Sequence, residues 1–212
     1  MSNNPQIVPR PLAEEIAYYL EPFDLSDHLP INKGLASATQ ETMISFLGSP
    51  LMPLTTSDQP SKASPVVKQL TQTCKVSLHV VVTAIKPALE SLERVLKAAF
   101  AQELSQEHGN HDLESVLGTE GMLVVRLRRP TSGNPSKKIS NHAWGTAIDM
   151  KITGHSAPAN TGHTIPRFIA ILLPFFNKEG WYSGISFQDT MHFEVAEGTI
   201  REWSDDGKFK KS

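Results

Sequence analysis

The chain has 212 residues, enough for one substantial domain, or one domain with an N-terminal extension, built round one hydrophobic core. A formal net charge of -2 with both signs interspersed excludes the global basic field that draws proteins to nucleic acid. The single cysteine, Cys74, excludes an internal disulfide, and no stretch approaches the ~18–20 apolar residues of a membrane span.

The N-terminus, MSNNPQIVPRPLAEE, lacks the basic start, the apolar run and the small-residue cleavage site of a secretory signal. Synthesis in the cytoplasm is expected, and action outside it would need another route of delivery. Helices are predicted over 12–20 and 37–46, with prolines interrupting any longer element. Residues 1–60 therefore read as a helical arm or docking segment, the polar stretch 57–64 as a linker or surface loop, and 61–212 as the main domain.

The valine-rich stretch 76–82 predicts a buried strand. From 87 to 107, Leu89, Leu92, Leu96 and Phe100 recur at helical spacing and predict a core helix. Asp112 is placed to cap a short helix ending near Leu117, and Gly121 to open a strand over 122–128. Over 147–152, Ile148, Met150 and Ile152 alternate with Ala147, Asp149 and Lys151, which puts Asp149 on the polar side of a half-buried strand. A helix from Pro166 through Phe176 with a kink at Pro174, a strand over 191–195 and a short helix ending near Trp203 complete the reading.

Two segments carry chemistry. Ser140 to Asp149, SNHAWGTAID, sets a histidine and an aspartate on either side of a glycine turn, and DTMHFE, from Asp189, supplies a second histidine. His142, Asp149 and His192 make the three-ligand set with an open fourth position that catalytic zinc requires. Asp189 lies three residues before His192, so it has to sit in the bend ahead of the strand if it is to serve as general base and then proton donor. Arg126 and Arg128 share one face of the predicted strand and are placed to clamp a substrate carboxylate, though spacing does not separate them from Arg129. Glu194 either orients a ligand or is a solvated strand residue. Trp144, Trp181 and Tyr182 are expected to pack the wall of the site, and His28, His79, His108, His111, His155 and His163, outside any such pattern, to be packed or surface residues.

SNHAWGTAID followed by DTMHFE resembles the motif pair SxHxxGxAxD and (D/E)xxH of the D-alanyl-D-alanine carboxypeptidase and L-alanyl-D-glutamate endopeptidase family, which includes VanY-like enzymes and phage endolysins. The likeness runs from about residue 32 to 203. It implies an α+β fold in which a small antiparallel sheet is flanked by helices and zinc sits in a cleft. It also implies Zn2+ on His142, Asp149 and His192, with Asp189 as the acidic residue of the second motif. The substrate would be a peptidoglycan stem peptide, cut as a D,D-carboxypeptidase or as an endopeptidase. Asp189 stands where the carboxypeptidase branch usually has Glu, and VVRLRRP differs from the SxYR pattern common in the family. The rival reading is a non-catalytic, zinc-stabilised binding module on the same fold. For the enzyme, action on the cell wall or periplasm would follow release or injection, with the arm suited to a delivery machine or a neutralising partner.

Overall fold

The computed structural model describes residues 12–26, 31–50, 62–78, 80–105, 111–128, 136, 138–155 and 164–209. Most of the expected linker at 57–64 lies outside them, as do His28, His79, His108, His163 and Arg129. The chain forms α1 (Leu12–Leu20), β1 (Pro22–Asp24), α2 (Gln40–Leu47), α3 (Pro65–Leu70), β2 (Thr71–Lys75), β3 (Val81–Ile85), α4 (Lys86–Ser105), α5 (Leu113–Val116) and β4 (Leu117–Gly121). There follow a 3-10 turn at Asn141–Trp144, β5 (Ala147–Ile152), β6 (Thr164–Pro166), α6 (Arg167–Lys178), β7 (Trp181–Ser183), a second 3-10 turn at Gly184–Phe187, β8 (His192–Val195) and α7 (Glu197–Asp205).

The fold is α+β, with small antiparallel sheets and helices. The principal sheet has the order β4-β5-β8-β7, and β1 pairs with β6 and β2 with β3. Side chains alternate across it as the sequence predicts. Ile148, Met150 and Ile152 are fully buried, and Ile148 lies directly opposite Phe193 on the core face. On that face Phe176 of α6 stacks on Phe193, ring centroids 4.0 Å apart, and meets Trp181 edge-on at 5.5 Å. Such aromatic pairs add roughly 0.5–1.5 kcal/mol to the stabilisation from burial. The long α4 packs Leu92, Val95, Leu96 and Ala99 into the same core, its apolar stripe recurring at helical spacing.

The described part of the N-terminal segment shares this core. Tyr19, Met43 and Leu47 are at most 1% exposed, and Glu15 of α1 is buried against His111, Nδ1 to Oε2 3.0 Å. Thr39 caps α2 by accepting from the Thr42 amide. Asp112 caps α5 by accepting from the Ser115 amide, as expected.

Two predicted strands differ. Residues 76–82 are not one strand: a turn separates β2 from β3, and Glu93 on α4 fixes it by accepting from the Ser77 amide at 3.0 Å and hydroxyl at 2.6 Å. Nothing within the valine run encodes that partner. The strand predicted over 122–128 instead ends at Gly121, whose φ of 101° turns the chain out of the ladder after a register shift between Thr119 and Gly121. Residues 124–128 pair irregularly with 138–142 through Val124 N to His142 O, Ser140 N to Arg126 O and Arg128 N to Lys138 O. The α6 helix also continues past Pro174 to Lys178 instead of ending near Phe176.

Candidate metal centre

The face of the sheet opposite the core carries the site. Asp149 on β5 and His192 on β8 are direct cross-strand partners, so their side chains project side by side. His142 arrives from the 3-10 turn, whose end at Gly145 has a left-handed φ of 66°. A Cβ at Gly145 would lie 2.8 Å from Ala84 Cα, so the glycine of the first motif meets both a conformational and a steric demand. Gly184 meets a second steric demand, since a Cβ there would come within 2.5 Å of the Asp189 carbonyl oxygen.

Among the described residues, His142, Asp149 and His192 form a group whose ligand atoms lie within 4.8 Å of one another and can hold a metal ion. His142 Nε2 is 3.1 Å from Asp149 Oδ1 and 3.2 Å from His192 Nδ1, and His192 Nδ1 is 2.9 Å from Asp149 Oδ1. Ligands placed ~2.0–2.2 Å from zinc at tetrahedral angles stand about 3.3–3.6 Å apart, so this triangle is close to one face of such a tetrahedron. The donor set and its spacing therefore fit the ion.

Hydrogen bonds outside the triangle decide which nitrogens face it. The Met122 carbonyl, 3.0 Å from His142 Nδ1, can only accept, so Nδ1 carries the proton and the Nε2 lone pair points inward. Glu194 Oε2 lies 3.0 Å from His192 Nε2, which leaves Nδ1 for the cluster. Burial alone would raise the Asp149 pKa, but hydrogen bonds from His142 and His192 hold its carboxyl far below the usual carboxylate range. Burial likewise opposes ionisation of Glu194, but the bond and charge of His192, the Ser37 hydroxyl and the charge of Arg128 together outweigh it, so its pKa is lowered too. For His192 burial disfavours the cation, yet Asp149 and Glu194 push its pKa up to about 10. These carboxylates favour positive charge at the cluster, whether carried by a proton or by a metal ion.

The cluster opens on a cavity of about 480 Å³ whose lining includes Asp189, Arg126 and Arg128. Asp189 is exposed and sits in the bend before β8, its amide donating to Gly184 O at 3.0 Å and its carbonyl accepting from the His192 amide at 3.2 Å. The two arginines reach the cavity from the irregular segment after β4, not from a regular strand. Trp144 and Trp181 are fully buried, donating to Gly48 O and Ser91 Oγ, and Tyr182 is half-buried. His111 is buried with Glu15 and stacked on Tyr18, while His155 is exposed. Sequence reasoning missed Ser37, which donates to Glu194 Oε1 from 157 positions away, and the Met122 carbonyl, because a backbone acceptor has no residue type to read.

Residues 134–195 match the model of the D-alanyl-D-alanine carboxypeptidase family. The match supports a peptidase at the level of the family. The match takes in His142, Asp149, Asp189 and His192, whereas Arg126 and Arg128 precede it. Comparisons with curated proteins and with solved structures each found no match. No helix among the described residues is long and apolar enough to cross a membrane.

Proposed function

We propose that this protein is a zinc-dependent peptidase of peptidoglycan stem peptides, with zinc on His142, Asp149 and His192. The observation that carries the reading is the inward-facing His-Asp-His triangle at the floor of a cavity that also holds Asp189 and two arginines. When bound, zinc supplies Lewis acidity, which polarises a scissile carbonyl and brings the pKa of water down to about 7. Asp189 takes the proton from the attacking water and delivers it to the leaving amine. Arg126 and Arg128 hold a substrate carboxylate through planar, two-point hydrogen bonding. The peptide is cut either at a terminal D-alanine or within the stem.

Those residues of the segment 1–60 that do not pack into the core are assigned to docking with a delivery machine or a neutralising partner, and the enzyme reaches the wall or periplasm by release or injection. Hydrolysis of synthetic peptides tests the reading, one ending in D-alanyl-D-alanine and one containing an L-alanyl-D-glutamate bond. Cleavage of either that stops on chelation and returns with zinc supports it. Zinc binding without cleavage of either would favour the binding module.

A further inference from the structure

We infer that Ser37 and Glu194 form a positioning relay that fixes which nitrogen of His192 faces the metal, so that the segment 36–40 is a working part of the centre. The inference rests on the reading of His142, Asp149 and His192 as ligands and adds residues outside that set.

An imidazole can ligate through either nitrogen, and a half-turn of the ring exchanges them. Glu194 removes this freedom. It is 2% exposed, Oε2 engages His192 Nε2 at 3.0 Å, and Oε1 accepts from Ser37 Oγ. With each oxygen engaged, the carboxylate is held on the ring. Ser37 is fixed in turn by main chain: it forms an antiparallel bridge with Ala196, and the Glu197 amide donates to Ala36 O at 2.9 Å. The same segment grips the loop of the first motif, where Gln40 Oε1 accepts from the Ile139 amide at 2.8 Å and Ala38 O accepts from Asn141 Nδ2 at 3.4 Å. Residues 36–40 thus tie the strand bearing His192 to the turn bearing His142.

Charge points the same way. A divalent ion held by two neutral imidazoles and Asp149 keeps one uncompensated positive charge in a buried site, which is costly. The Glu194 carboxylate, one imidazole away, brings the balance to zero. Its place outside the ligand triangle matches a partner that raises the basicity of a ligating imidazole.

The test measures Zn2+ affinity by competition with a chromophoric chelator for the wild type, Glu194→Gln and Ser37→Ala. Nitrogen-15 NMR of the zinc-loaded wild type assigns the ring of His192. Glu194→Gln should bind about 10–100-fold more weakly, Ser37→Ala should lose affinity less steeply, and the wild type should show zinc on Nδ1 with the proton on Nε2. Unchanged affinity in Glu194→Gln, or zinc on Nε2 in the wild type, overturns the relay while leaving the ligand reading in place. No stoichiometric zinc binding by the wild type overturns both. Should Glu194→Gln fail to fold, Ser37→Ala carries the test, and unchanged affinity there overturns the relay.

Discussion

Asp149 and Glu194 contact His192 from opposite ring nitrogens, whereas Asp189 reaches the cavity from the bend ahead of β8. Removing Asp189 should therefore separate hydrolysis from metal binding. Asp189→Ala is expected to lose about 10²–10⁴-fold in kcat while binding zinc as the wild type does; His142→Ala should lose both, and a chelator-competition titration beside a peptide assay distinguishes them. The pH dependence of binding has a definite sign. In the metal-free protein the His192 pKa is raised from 6.5 to about 10, so the proton it carries at neutral pH has to be displaced by a cation. Zinc affinity should rise with pH across the neutral range and binding should release protons; a binding heat that does not vary with the ionisation enthalpy of the buffer would contradict this. For metal-free stability, a raised folded pKa contributes fully below 6.5 and the contribution fades as pH rises through about 10.

At the scale of elements, legibility followed the strength of the local signal. The strand at Ala147–Ile152 and the helix at Lys86–Ser105 were readable because periods of 2 and 3.6 persisted over several repeats. The three-residue strands β1, β6 and β7 carry too few residues to show a period, and β1 and β6 are distant in sequence from each other. The run over 76–82 misled because composition favoured a strand while Ser77 is held in a turn by Glu93. The grouping of His142, Asp149 and His192 was legible because both motifs are local, but the Ser37 contact joins residues 157 apart and has no local signal. The glycine turn gives a test at this scale. Gly145→Ala should cost at least about 1–2 kcal/mol from the left-handed backbone alone, with further loss from the approach of Ala84, and should lower zinc affinity by displacing His142; a thermal melt and a zinc titration check both. Phe176→Ala, which removes the ring between Trp181 and Phe193, should cost about 3–5 kcal/mol by denaturant unfolding.

For the whole molecule, the described N-terminal segment and the site are built on one core. Tyr19 is fully buried in it, Glu15 pairs with buried His111, and Ser37 ends on Glu194. Deleting residues 1–30 would remove α1 and leave His111 without its carboxylate. The truncated protein should melt well below the full chain in differential scanning calorimetry, and an unchanged melting temperature would show that α1 adds nothing to the core. The most direct measurement incubates the zinc-loaded protein with intact peptidoglycan sacculi and weighs the released products by mass spectrometry, with a chelated sample and Asp189→Ala alongside. The account predicts release of alanine or of stem fragments from the zinc-loaded wild type alone; sacculi left intact by it, or cut equally by Asp189→Ala, would contradict it.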